Sequence, residues 1–226
     1  SLVTHGPLVV LHDHLDGGVR PSTVLDLCHA VGVATPADDA AALGEWMTIT
    51  PGMELVDAFS RFDLVNAGLQ TADALRRVAL EGVEDLAADG VIHAEFRFAP
   101  LLHTATGMTP AEVIAAVSAG LDEAHRTIGI DARIIAVMMR DQPLDISMQV
   151  VEAAIAAGGR VVGVDVAETD LVGVGESHAD DQIGVGEQQH RRGGCVDALD
   201  PTDKPCVRDH GHAIAHAVLA TSVDRD

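Results

Sequence analysis

The sequence predicts an α/β fold with a parallel sheet, of the (β/α)8 barrel class, in which only the first four βα units are recognisable. Three observations predict it. Short apolar runs at residues 8–11, 91–98, 132–139 and 160–167 alternate with longer segments of helical period. That alternation means parallel strands joined by helical crossovers. Polar residues stand at the carboxyl ends of all four runs, where barrels of this class keep their chemistry. This favours the barrel over a doubly wound sheet. Four strands are used by residue 167, and the 59 residues that follow (226 − 167) are too few for four more units of a barrel that takes about 250 residues.

The elements follow in order. Residues 8–11 are continuously apolar, as a buried parallel strand is. Pro21 suits the first turn of a helix that runs to Val31. Residues 36–50 are mixed and polar, with no regular period. Leu55 to Gly68 carries a helical stripe through Val56, Phe59, Phe62, Leu64 and Val65. Thr71 is placed to cap a strong helix to Asp89, with Leu75, Val78, Ala79, Gly82 and Leu86 on one face and Gly90 as the stop. After the second strand, Thr109-Pro110-Ala111-Glu112 has the cap, proline and acid order of a helix start, running to about Thr127. A helix from Leu144 to Ala157 separates strands three and four. Asp141 and Asp145 flank Pro143 and are expected to cap it. From about Thr169 the periods fade, and only Gly211 to Val223 reads as a short helix.

Composition narrows the function. The net charge of −21 argues against nucleic acid, which takes a basic surface, and against anionic membranes. Aromatic residues make up 2%, so aliphatic and alanine packing carries the core. No run of about 18 apolar residues is present, and no signal peptide is visible. Cys28, Cys195 and Cys206 form no disulfide framework, and a reducing, cytoplasmic setting is the default. The chain opens on Ser1 and not on Met, which reads as a trimmed or partial chain.

The stretch that organises the chain is Val9-Val10-Leu11-His12-Asp13-His14-Leu15-Asp16-Gly17-Gly18. Residues at i and i+2 of a strand point to the same side, so His12 and His14 converge just past the apolar run. Two neutral imidazoles so placed make half of a zinc site. Asp16 has the same parity, and Gly17-Gly18 permits a sharp turn.

This stretch resembles the start of adenosine deaminases, of the amidohydrolase superfamily. The likeness continues over residues 8–167. Leu55 to Val65, with Phe59 and Phe62, resembles the helix that roofs the purine pocket. Glu95-Phe96-Arg97-Phe98-Ala99-Pro100 resembles the second-strand motif, and Val162-Gly163-Val164-Asp165-Val166-Ala167 the fourth strand. The resemblance implies a (β/α)8 barrel with one Zn2+ per chain at its carboxyl mouth, bound by His12 and His14. It implies that His14 and Asp16 contact the substrate, Asp16 at the ribose, under a lid of Phe59 and Phe62. The implied reaction is hydrolytic: a metal-bound water attacks purine C6, ammonia leaves and inosine forms. The implied partner is a small molecule, adenosine or deoxyadenosine, within purine nucleotide metabolism.

The sequence departs from the family after Ala167. The family's His-Ala-Gly-Glu motif, with the third metal-binding His and the catalytic Glu, has no match. Neither do its later catalytic His and its metal-binding Asp. Glu168 stands where the family has a substrate-binding Gly. Ser177-His178-Ala179-Asp180-Asp181 and His210-Gly211-His212 echo the missing motifs without their strands or order. The break fits a shifted reading frame or a mis-joined gene, so residues 1–167 are read as the first half of a barrel and 168–226 as an unmatched tail. The expected chain has an incomplete zinc ligand set and little or no activity. The rival readings are a non-catalytic remnant and an amidohydrolase acting on another amino-purine.

Other side chains carry weaker signals. His93, Glu95 and Arg97 share a strand face and are expected to form a buried, paired network. His103 follows the second strand and is expected to face the pocket or water. His212 and His216 have helical spacing and read as a solvated face, and Cys195 and Cys206 do not have zinc spacing. A half barrel is expected to leave strands one and four with unpaired edges and the third strand partly uncovered, which invites self-association.

Overall fold

The computed structural model describes residues 6–167 and 206–207. Its centre is an all-parallel sheet in the order β4-β3-β2-β1-β5, built from β1 (Leu8–His14), β2 (Val91–Phe98), β3 (Asp131–Met139), β4 (Val161–Ala167) and β5 (Cys206–Val207). Between them run α1 (Pro21–Val31), α2 (Ala40–Met47), α3 (Leu55–Gly68), α4 (Ala72–Ala88), a 3-10 turn (Pro100–His103), α5 (Pro110–Thr127) and α6 (Leu144–Ala157).

One face of the sheet meets the helices. Ala94, Phe96 and Phe98 of β2 and Ala132, Ile134 and Ala136 of β3 are buried in the core with Leu75, Val78 and Val83 of α4 and Val113, Val117 and Leu121 of α5. Glycine allows the close approach of α4 and α5. A Cβ at Gly120 would collide with the Arg76 carbonyl oxygen and the Ala79 side chain. The other face is the inside of the incipient barrel, and it carries Arg97, Val137, Met139 and Asp165.

The helix ends follow local chemistry. The Thr71 hydroxyl accepts from the Ala74 amide. Thr109 and Glu112 form a reciprocal capping box ahead of Pro110, which satisfies two otherwise orphaned amides.

Several expectations are corrected. The polar stretch of residues 36–50 contains α2, whose Asp39 carboxylate accepts from the Ala41 and Ala42 amides. Eight residues are too few to show a period, and that cap was the available signal. Neither Asp141 nor Asp145 caps α6. Pro143 holds the cap position, with no side-chain hydrogen bond, and Asp145 lies in the first turn. The outer edge of β1 is not bare, because β5 pairs with it at Leu8 and Val9. The third strand is not uncovered either. Ile134 and Ala136 lie under helices, and on the inner face Val137 and Met139 pack with Ala99 and Ala167. The readings made for Glu168, Ser177 to Asp181, Cys195, His210, His212, His216 and the helix at 211–223 lie outside the described residues.

Candidate active site at the carboxyl ends of the strands

The site begins with a flaw in the β1–β2 ladder. Val10 packs into the core, and unbroken alternation would send His12 and His14 to that same side. Between Val10 and Asp13, however, β1 advances three residues while β2 advances two, from Ala94 to Phe96. The extra residue inverts the parity. Asp13 then pairs with Phe96, and His14 with Arg97. An opposite shift between Leu8 and Val9, where β2 advances from Val91 to His93, compensates it.

The inversion brings the two imidazoles to the inner face, with ring centroids 5.4 Å apart. The chain then turns on the His14 carbonyl, which accepts from the Gly17 and Gly18 amides at 2.9 and 3.2 Å. Gly17 leaves little room for a side chain. A Cβ there would stand 3.2 Å from His14 Cβ and 3.5 Å from a Phe62 ring carbon. α3 lies over this turn. The Phe62 ring lies edge-on to His14 at 6.3 Å, and Phe59 follows at 6.5 Å from Phe62. The structure thus gathers His12, His14, Phe59 and Phe62 as the sequence suggests.

Asp16 is 8% exposed. Burial pushes its carboxyl up to about 6, opposed by the Asn66 amide of α3 and by the charge of Arg97. One oxygen of Asp16 and the side-chain oxygen of Asn66 are both buried without a hydrogen-bond partner among the described residues. Asn66 carries no sequence signal of this role, because only the packing of α3 on the β1 turn brings it to Asp16.

Arg97 is the charged centre of the inner face. Its guanidinium lies 2.9 Å from a carboxylate oxygen of Asp165, off the line of a hydrogen bond, with the side chains 1% and 3% exposed. Its Nη1 lies 2.9 Å from Nε2 of His12. Arginine has no lone pair to offer, so it donates and His12 Nε2 accepts. Burial lowers the Arg97 pKa, and Asp165 and Asp16 raise it. The expected His93–Glu95–Arg97 network forms differently. Arg97 pairs across β3 with Asp165, while His93 stands at 3.9 Å from Glu95 and 3.7 Å from Asp131 on partly exposed surface.

His103 faces neither pocket nor water. It is 1% exposed, its ring tilted 45° to that of Phe98 with centroids 5.9 Å apart. Burial drives its pKa down to about 4, with the Leu69 backbone opposing.

A cleft of about 450 Å3 opens at the other end of the sheet, lined by Asp122, His125, Asp131, Arg133 and Arg160. Arg160 there bridges Asp122 and Asp131, so its charges are mutually satisfied. It is remote from His12 and His14 and is not the candidate site.

The described residues do not complete a metal centre. Catalytic zinc takes three protein ligands and an open position. No group of three His, Cys, Asp or Glu placed to hold a metal occurs among the described residues. Asp165, the carboxylate that rises toward the same mouth on β4, is engaged by Arg97, and the His12 nitrogen accepts from the same guanidinium.

Comparison with known proteins decides the family. The adenosine deaminase family model matches residues 7–183. This chain belongs to the adenosine deaminase family. It is 42% identical over 173 residues to the adenosine deaminase of Mycobacteroides abscessus, a match over 73% of this chain and 47% of that protein. It is 34% identical over 173 residues to that of Clostridium botulinum, over 76% and 51%. The chain therefore spans about half the length of the curated relatives it matches.

Solved structures agree on the family architecture. A Burkholderia ambifaria amidohydrolase with bound zinc superposes with a TM-score of 0.63 at 30% identity, over 71% of this chain and 44% of that one. The adenine deaminase of Arthrobacter aurescens gives 0.63 at 25%, over 74% and 50%. The N6-methyl-AMP deaminase of Arabidopsis thaliana gives 0.61 at 28%, over 74% and 50%. The four-stranded parallel core with its helices is thus part of an amidohydrolase barrel. No described helix is long and apolar enough to cross a membrane.

Proposed function

We propose that this chain carries the nucleoside-binding half of an adenosine deaminase site and binds adenosine or deoxyadenosine with little or no turnover. The observation that carries this reading is the buried Asp16 oxygen without a partner among the described residues, two residues after His14, whose ring Phe62 of α3 covers edge-on. A buried acceptor left open costs about 1–3 kcal/mol, and a ribose hydroxyl is a donor that relieves it. The two phenylalanines supply an apolar roof suited to a purine face. In this reading His14 and Asp16 hold the sugar, and His12 and His14 hold a divalent ion weakly.

The lack of turnover follows from the groups at hand. Deamination at purine C6 needs a group to protonate the ring and a base to activate water, and acid–base help of this kind is worth about 10²–10⁴-fold. His12 and Asp165 are both engaged by Arg97, and Asp16 is given over to the sugar in this reading. None of the three is placed for either task. The match to an adenine deaminase and an N6-methyl-AMP deaminase supports a second reading at the level of substrate, in which another 6-amino-purine occupies the site. The edge of β4, unpaired among the described residues, and the exposed apolar side chains beside it support self-association of the chain.

The test is incubation of purified, zinc-supplemented protein with adenosine, following the absorbance change to inosine, beside H12A. The expected outcome is no turnover, with nucleoside binding seen by calorimetry and weakened in D16A. Turnover at about 1 s⁻¹ or more, an ordinary enzyme rate, that is lost in H12A refutes the inactive half-site. Binding unaffected by D16A refutes the assignment of Asp16.

A further inference from the structure

We infer that Arg97 is the resident cation of the two-histidine half-site, held where a divalent ion would otherwise bind, and that it sets the weakness of metal binding in this chain. The inference rests on the reading that His12 and His14 are the metal-facing pair. Two observations on that pair conflict. His12 and His14 lie with ring centroids 5.4 Å apart, which suits two donors converging on one ion. Yet Nε2 of His12 faces the Arg97 guanidinium at 2.9 Å. One lone pair cannot accept from an arginine and coordinate a metal at once.

The guanidinium is held from behind. Asp165 on β4 lies 2.9 Å from Nη2, and the charge of Asp16 also favours the cation. Asp165 is itself oriented, since its Oδ1 accepts from the Val166 amide at 2.7 Å. Arg97 is among the largest fully buried side chains of the described residues, so it has no route to solvent without rearranging the inner face. Its Nε and Nη2 lack aligned hydrogen bonds among the described residues, which means the guanidinium is incompletely satisfied there and depends on the His12 contact. A dication entering beside it must break that contact and then meet a positive charge in a low-dielectric setting. Burial works against the Arg97 charge, and Asp165 and Asp16 favour it.

The arrangement makes a sharp distinction between two roles. If Arg97 merely oriented His12, removing it would loosen metal binding. If it occupies the position, removing it releases Nε2 from that contact and lifts the repulsion, and binding tightens.

The experiment measures Co2+ affinity by its visible ligand-field absorption, and Zn2+ affinity by competition with a chromophoric chelator. The proteins are the wild type, R97M, R97M/D165N and H12A/H14A. The double variant removes both buried charges together, which is often neutral for stability, and the D165N change keeps a side-chain oxygen to accept from the Val166 amide. It therefore tests the idea even where R97M alone leaves Asp165 uncompensated and fails to fold. The expected result is affinity about tenfold tighter or more in R97M/D165N, equivalent to about 1.4 kcal/mol, and in R97M where folded. Unchanged or weaker affinity in R97M/D165N overturns the role of Arg97. Metal binding in the wild type that survives H12A/H14A at full stoichiometry overturns instead the assignment of the two histidines, so the two failures are distinguishable.

Discussion

At the scale of single residues, two buried titratable groups oppose each other. His103 is neutral in the fold, with a pKa near 4 against an ordinary 6.5. The unfolded chain takes up its proton below 6.5 and the folded chain does so only near 4. His103 therefore contributes stability above 6.5 that is lost as the pH falls toward 4, about 3 kcal/mol in all. Asp16 has the reverse sign. Its pKa rises from 3.8 to about 6, so its contribution is fully present below 3.8 and is lost as the pH rises through 6. The two nearly cancel between pH 4 and 6. The wild type should show a flat urea-denaturation profile there, and H103L should grow more stable on acidification across that window. A wild-type profile that already falls steeply from pH 6 to 4, unchanged in H103L, would show that neither group titrates as its burial requires.

At the scale of elements, the tightest joint is α4 against α5. Gly120 lies where any side chain would strike the Arg76 carbonyl and Ala79. Overpacking of this kind costs about 1–3 kcal/mol, so G120A should lower the denaturation midpoint with an unchanged slope. Gly163 of β4 has open space around its Cβ position, and G163A should leave the midpoint nearly where it is. The cap of α5 gives a smaller, independent figure. T109A removes the hydroxyl that accepts from the Glu112 amide while the Glu112 carboxylate still accepts from the residue 109 amide, and should cost about 1 kcal/mol. Equal losses in G120A and G163A would mean that the α4–α5 approach is looser than its geometry.

At the scale of the whole molecule, the described sheet stops at β4. Val162 and Val166 on β4 are exposed, and beside them on α6 Leu144 and Ile155 are 77% and 74% exposed. An apolar surface joined to an open strand edge is a template for pairing with another chain. The protein is expected to sediment as a concentration-dependent oligomer, and L144K/I155K to shift it toward the monomer. A monomer at every concentration would show that residues of the chain itself cover this surface. The β1 side is less open, because Cys206 and Val207 already pair with Leu8 and Val9.

The sequence by itself determined the elements. Pro21 and Thr109-Pro110 started helices where the structure has them, Gly90 ended one, and the apolar runs became strands. Each of these signals acts within a few residues, through backbone dihedrals, local hydrogen bonds or side-chain period. The grouping of His12, His14, Phe59 and Phe62 was legible because a run of family motifs in order pointed to it. Tertiary structure alone decided which way they face. Strict alternation from the core residue Val10 would have turned both histidines toward the helices, and the register shift against β2 turned them inward. It also decided that Arg97 pairs with Asp165 across an intervening strand and reaches His12, that Asn66 meets Asp16, and that His103 is buried. These are contacts between residues far apart in the chain. Their geometry is set by register and packing, which no local period encodes.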